Sequence, residues 1–253
     1  MSGLEDAVSL ERLSRYFAWA GNDHTRALEL YAINTAVSEA FYTPLQMMEV
    51  ALRNRCHAVL SEQFGPSWFD SPGILTSEQQ IRSVLETKVD LVKGMAKKER
   101  ATTAVLDRLT PGRIVASLTF GFWTALFGTN YENTLWRQCL HKVTTNPPPK
   151  MKRGKLSVEF TAIRLLRNRI AHPEPILYYD LAGRHERILE VTDWLIPVAA
   201  SWTERHSRLP EIYAQHESCI CGVRRIHDDQ KKERGRRDQA SVRPPQSCLT
   251  QAP

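Results

Sequence analysis

Apolar side chains return every three or four residues through most of this chain, which is the spacing of one face of a helix. In the segment 25–41 a single stripe is formed by Ala27, Leu30, Tyr31, Asn34, Val37, Ser38 and Phe41. Few segments alternate apolar and polar residues over the length of a strand, and the 253 residues include only 12 glycines. The sequence therefore predicts an all-α fold.

The same periodicity predicts further helices over about 43–63, from 77, from 110, and over 157–171 and 184–207. Thr43-Pro44-Leu45-Gln46 combines a Thr N-cap, a Pro at N1 and a Gln at N3, and this capping box predicts a helix start. Gly65 suits the position just past the end of that helix. Pro197 predicts a kink near Ile196, and the three prolines at 147–149 predict a loop.

The composition changes after residue 214. Residues 222–245 carry many charges and almost no large apolar side chains, so burial cannot offset the entropy lost on ordering them. We therefore expect a helical domain at 1–214 and a disordered basic tail at 215–253.

The sequence predicts no membrane span. The best candidate, Ile114–Tyr131, carries no charge, but its dense apolar part stops at Phe127, short of the roughly 20 residues needed. Met1–Asp6 is acidic and lacks the apolar core of a secretory leader. The five cysteines are odd in number and irregularly spaced, which favours free thiols. We expect a cytoplasmic protein.

The most informative segment for function is Arg164–Ile176. Three arginines, an asparagine and a histidine lie within its first nine positions, and the net charge of +6 suits a polyanionic partner. His172 precedes Pro173, and a residue before proline avoids the α region, so the helix should end there. The imidazole would then lie at the negative end of the helix dipole.

These side chains suit chemistry on a phosphodiester. Asn168 and His172 are four residues apart and share a helix face, whereas Arg167 has to reach across with its long side chain. Arginine stabilises developing negative charge, and histidine can transfer a proton near neutral pH. Because the RNA 2′-hydroxyl lies beside the phosphate, such groups suffice without a metal. A helix cap with surface ion pairs is the structural alternative.

Arg167-Asn168, with His172 four residues further on, resembles the R-polar-x-x-x-H signature of HEPN ribonucleases. Four further segments occur in the same order in Abi-like (AbiD/AbiF) abortive-infection proteins: Met48–Asn54, Phe64–Phe69, Leu118–Trp123 and His172–Ile176. The similarity covers about residues 10–205. It implies an HEPN-like multi-helix bundle with additional N-terminal helices, endoribonuclease activity, and a role in phage defence or as a toxin.

The resemblance also implies roles for individual residues. It assigns Arg167 to phosphate stabilisation, His172 to proton transfer, and Asn168 to orienting His172 or the ribose. It implies metal-independent cleavage by 2′-hydroxyl attack, which leaves a 2′,3′-cyclic phosphate and requires no cofactor. Such ribonucleases usually act as homodimers with one composite cleft. The implied partners are RNA, a second copy of the chain, and an antitoxin or a phage-encoded trigger.

Further basic residues are candidates for RNA or phosphate contacts: Arg164, Arg169, Arg53, His57, Lys152 and Arg153. Arg53 and His57 are four residues apart and look like a second, shortened copy of the motif. A structural pairing of Arg53 with Glu49, one helical turn earlier, is the alternative.

A cluster near the C-terminus hints at a metal site, because it contains Cys219, Cys221, His216 and His227. The Cys-x-Cys spacing is tighter than that of structural zinc sites, and no second pair follows. We therefore expect no metal. Two other functions stay open: a non-catalytic nucleic-acid- or nucleotide-binding module, and an interaction protein that senses a phage component.

Overall fold

The computed structural model describes residues 7–99 and 109–241. Within these ranges all regular elements are helical and no strand occurs, which confirms the predicted all-α fold. The α-helices are α1 (Leu10–Ala20), α2 (His24–Ala40), α3 (Tyr42–Phe64), α4 (Glu78–Glu99), α5 (Pro111–Ser117), α6 (Phe120–Ala125), α7 (Arg153–Ala171), α8 (Leu181–Leu195), α9 (Pro197–His206) and α10 (Leu209–Ser241). Short 3₁₀ turns and one π-turn, Glu132–Trp136, connect them.

The described chain divides into two compact units. One contains residues 7–37, 175–181 and 211–241, and the other contains the remainder. In the first unit Leu13 and Tyr16 are fully buried, and the Tyr16 ring meets Tyr31 edge-to-face with centroids 5.5 Å apart. Asn34 on the predicted apolar stripe is also buried. Its Oδ1 accepts a 2.8 Å hydrogen bond from the backbone N–H of Ile176.

Helix α10 differs from the sequence prediction of a disordered tail at 215–253. Residues 215–241 are helical, and the boundary predicted at residue 214 lies inside this helix. Ile220 and Val223 are buried, so their apolar contacts stabilise this part of a helix that is otherwise highly charged. The ring of His227 lies 4.4 Å from that of Tyr178, which adds a further contact. Residues 242–253 of the predicted tail lie outside the described residues.

The second unit begins at Ser38, in the last turn of α2, and it includes the α2–α3 connection, where the capping-box prediction is wrong. Helix α3 begins at Tyr42, so Thr43 lies within its first turn. The single residue between the helices, Phe41, keeps helical angles (φ −73°, ψ −13°), and no side chain caps α3. The predicted end is confirmed, since Gly65 follows α3 with a φ of 87°.

The apolar segment after Thr110 forms two helices instead of the single predicted helix. Leu118 is extended between α5 and α6, and the Thr119 hydroxyl accepts a hydrogen bond from the Phe122 backbone N–H at 3.3 Å. Trp68, Phe122 and Trp123 form a buried aromatic cluster in the core. In the described ranges no helix has the length and apolar character to cross a membrane.

Helix α7 begins four residues before its predicted start and ends at the predicted residue, Ala171. Its buried stripe consists of Leu156, Phe160, Ile163 and Leu166. The kink predicted at Pro197 is a complete break, because Ile196 is extended (φ −151°, ψ 97°) and Pro197 starts α9. Proline is tolerated in a first helical turn, where its missing N–H leaves no bond unmade.

Candidate functional site

His172 follows the last residue of α7 and is exposed to solvent. Its backbone N–H donates a 2.9 Å hydrogen bond to the carbonyl oxygen of Asn168, so the last turn persists up to His172. The segment beyond the helix is fixed by Arg169, whose Nη1 lies 2.8 Å from Glu174 Oε2. The predicted helix end is therefore confirmed, and it presents an accessible imidazole.

Arg167 forms an ion pair with a residue from a distant part of the sequence, Glu49. Its Nε lies 3.6 Å from Oε2 of Glu49 on α3. The alternative pairing of Glu49 with Arg53 is not formed, because Arg53 donates instead to the Ala116 carbonyl oxygen at 3.4 Å and to Asn54 Oδ1 at 3.3 Å. The ion pair therefore connects α3 to α7.

A cleft of about 500 Å³ lies between these two helices, and we call it the Arg53/Arg167 cleft. It is lined by Tyr42, Leu45, Gln46, Glu49, Val50, Arg53, Arg167, Ile170 and Ala171. Tyr42 is 66% exposed in this otherwise partly apolar cleft. Ala171 lines the cleft and His172 is the next residue in the chain, but the His172 side chain is not part of the lining.

Asn168 does not line this cleft. It is half-buried on α7 and contributes its backbone carbonyl oxygen to the helix end. Arg169 likewise lies outside the cleft, and its ion pair with Glu174 engages its guanidinium. Of the predicted catalytic residues, Arg167 lines the cleft, whereas Asn168 and His172 do not.

His57 is half-buried and does not line the cleft with Arg53. Its Nδ1 accepts a 3.1 Å hydrogen bond from the Trp68 indole N–H and lies 3.2 Å from the Ser61 hydroxyl oxygen. Burial lowers the pKa of His57, because the charged form is less well solvated there. A neutral imidazole that accepts from an indole is suited to a structural role.

Lys152 and Arg153 lie at the opposite end of α7 from His172. Nineteen to twenty residues at 1.5 Å per residue place them roughly 30 Å away along the helix axis. Arg153 forms an ion pair with Glu132 and donates to the Phe127 carbonyl oxygen. Lys152 lines a separate basic cleft of about 410 Å³. Arg164 lines yet another cavity, so these three residues are not brought to the Arg53/Arg167 cleft.

No group of three or more His, Cys, Asp or Glu side chains is arranged to hold a metal ion in residues 7–99 and 109–241. The hinted cluster at Cys219 and Cys221 is therefore not assembled; both thiols are free and exposed. Cys56 and Cys139 are free and buried. Burial raises the pKa of Cys139 to about 11, so its thiol is protonated at neutral pH.

Comparison with known proteins adds no family assignment: no family model, curated protein or solved structure matches the chain. The contact of Glu49 with Arg167 and the exposure of Tyr42 are not among the features predicted from the sequence. The sequence did contain a signal for the contact of Glu49 with Arg167, because Glu49 lies in Met48–Asn54, one of the segments quoted for the Abi-like resemblance. In the structure this segment and the one containing Arg167 line the same cleft.

Proposed function

We propose that the protein is a metal-independent endoribonuclease of the Abi-like HEPN type, acting in phage defence or as a toxin. One observation supports this proposal: Arg53 and Arg167, which are far apart in sequence, line one cleft, and the exposed His172 directly follows Ala171, which also lines it. RNA and a second copy of the chain are the proposed partners, and the cytoplasm is the proposed compartment.

In this proposal Arg167 binds the scissile phosphate. Its planar guanidinium can donate two parallel hydrogen bonds to phosphate oxygens and stabilise the charge that develops on them. Both members of its ion pair with Glu49 are partly exposed, so exchanging the carboxylate for a phosphate costs little. Arg53 contacts a neighbouring phosphate and fixes the strand in the cleft.

His172 transfers the proton. As a base it accepts the proton of the ribose 2′-hydroxyl, the 2′-oxygen bonds to phosphorus, and the bond from phosphorus to the 5′-oxygen breaks. The products are a 2′,3′-cyclic phosphate and a 5′-hydroxyl, whose oxygen needs a proton in the same step. A second copy of the chain would supply it from its own His172, which gives a chemical reason for a homodimer.

Single-turnover cleavage of a labelled RNA in EDTA tests this proposal. His172→Ala should lower the rate about 10²- to 10⁴-fold, the usual contribution of general acid–base catalysis. His206→Ala is the matched control, because His206 is also exposed at a helix end, that of α9, and does not line the cleft.

The outcomes separate the functions. Equal rates for folded His172→Ala and wild type would exclude the proposed site, and a requirement for Mg²⁺ would exclude the mechanism. RNA that binds to the cleft without being cleaved would instead identify a non-catalytic nucleic-acid-binding module.

A further inference from the structure

A second cavity, of about 340 Å³, lies among α4, α6 and α7. Hydroxyl side chains dominate its lining, namely those of Ser77, Ser83, Thr119, Thr124, Ser157 and Thr161. Arg164 is the one charged residue among the described residues that line it, and none of them is acidic. We call this space the Arg164 cavity.

Arg164 has an unmet bonding requirement in this cavity. Its Nε is buried and finds no hydrogen-bond partner within the described part of the chain. A buried polar group without a partner costs free energy, and native structures contain few of them. A ligand with an acceptor oxygen would satisfy this donor.

The remaining lining groups define the charge and size of such a ligand. The Arg164 guanidinium has no carboxylate beside it in the cavity lining, and hydroxyl groups surround it. This favours an anion with several oxygens, because guanidinium and hydroxyl groups can both donate hydrogen bonds to oxygen. The volume lies within the range of roughly 300–1,000 Å³ that is typical of small-molecule sites. A free phosphate ion would fill only a fraction of it, so the anion should carry an organic body.

We propose that the Arg164 cavity binds a small phosphate monoester, with the phosphate on Arg164 and a hydroxyl-bearing organic body against the serine and threonine side chains. The planar fork of arginine matches two phosphate oxygens, and the hydroxyl groups of Thr161 and Ser157, one and two helical turns before Arg164 on α7, can donate to others.

This site is distinct from the proposed RNA cleft. The two spaces share no lining residue. Arg164 precedes His172 by eight residues, which is about 12 Å along α7. The inference therefore does not depend on ribonuclease activity, and either proposal can fail alone.

Calorimetric titration of the full chain tests the proposal, with ribose 5-phosphate and glycerol 3-phosphate as phosphate monoesters, inorganic phosphate as the bare anion, and ribose as the uncharged body. Wild type should bind both esters, and more tightly than inorganic phosphate. Arg164→Met should weaken binding about tenfold or more, since a charge-assisted pair is lost, and Arg164→Lys should lie between. Arg82→Met, which alters an exposed arginine of α4 outside the cavity, is the matched control and should leave binding unchanged.

A second variant keeps Arg164 intact. Gly121 lines the cavity, and a Cβ placed there would lie 4.0 Å from Arg164 Cδ, so the larger side chain of Gly121→Leu would occupy the ligand space. Gly121→Leu should therefore abolish ester binding, whereas Arg164→Met should weaken it. In wild type the Nε–Hε NMR signal of Arg164 should shift on addition of ribose 5-phosphate.

Several results would overturn the proposal. They are the absence of ester binding to wild type, unchanged binding by both Arg164→Met and Gly121→Leu, or equal binding of ribose. Loss of RNA affinity in Arg164→Met without any ester binding would assign Arg164 to the nucleic acid instead. Failure of the His172→Ala test would leave the ester result unaffected.

Discussion

The guanidinium Nε of Arg167 lies 3.6 Å from the Glu49 carboxylate oxygen Oε2 and so connects α7 to α3 across the cleft. The two side chains are 40% and 27% exposed. Ion pairs with this much solvent access contribute only about 0–1 kcal/mol to stability. Glu49 therefore holds Arg167 only weakly, as the proposed replacement of this carboxylate by a phosphate requires.

Removing the Glu49 charge should favour the nucleic acid. Glu49→Gln should change the free energy of unfolding by less than about 1 kcal/mol and should tighten RNA binding, because a carboxylate no longer repels the phosphates. Fluorescence anisotropy with a 2′-O-methylated oligonucleotide, which cannot be cleaved, measures this. Glu62→Gln, on the exposed part of α3 outside the cleft, is the control. Weaker binding by Glu49→Gln would contradict competition at Arg167.

The two cleft arginines should differ in their effect on chemistry. Arg167→Lys keeps the charge but loses the bidentate fork, so cleavage should fall sharply while RNA affinity declines modestly. Arg53→Ala should reduce affinity or stability more than the single-turnover rate. Cleavage at saturating protein, with melting curves recorded alongside, separates these effects. A rate loss confined to Arg53→Ala would reverse the assigned roles.

The helices could be predicted because their signals are local. The apolar periods of α2 and α7 and the effect of Pro173 depend on neighbours in the sequence, and these elements are found as predicted. The pairing of Glu49 could not be assigned in the same way. Arg53 is one turn away, but Arg167, from a distant segment, approaches the carboxylate instead. Only tertiary packing decides between two such partners.

Helix α10 shows that the average composition of a segment does not reveal its tertiary contacts either. Averaged over 222–245 the segment is too polar to fold by itself, which predicted disorder. That average does not register the narrow apolar stripe that runs from Ile220 to Val223 at its start. Nor does it register the contacts of Arg224 with Asp180 and of His227 with Tyr178. Those partners lie in another part of the sequence, so the segment's own composition could not reveal them.

The stripe on α10 should contribute to stability. Ile220 is 1% exposed, and truncating a buried isoleucine to alanine costs about 2–5 kcal/mol. Ile220→Ala should therefore lower the melting temperature clearly, whereas Cys219→Ala, at the adjacent exposed position, should not. A chain ending at Ala214 should lose stability as well. Equal melting temperatures for that chain and the full chain would show that residues 215–241 do not help to hold the fold.

The proposed shared mechanism requires two copies of the chain. Sedimentation should give about twice the 28.9 kDa of one chain. Tyr42 is a suitable position for disrupting a contact at the cleft, because it is 66% exposed there. Tyr42→Asp should shift the protein towards monomer and lower cleavage together. A wild-type monomer with full activity would exclude a composite site.

The pH dependence of stability should report on His57. Burial lowers the pKa of His57 in the folded state, so the unfolded state binds the proton more readily. Its stabilising contribution is thus fully present above the ordinary histidine pKa of about 6.5 and is lost as the pH falls through the lower folded value. Burial shifts the pKa of His185 in the same direction, so part of the effect persists without His57.

His57→Gln retains an acceptor for the Trp68 indole but cannot titrate. Urea unfolding at pH 7.5 and pH 5 should therefore show a smaller loss of stability for His57→Gln than for wild type, with His216→Gln, on α10, as the control. Identical losses in all three proteins would mean that His57 does not couple protonation to folding.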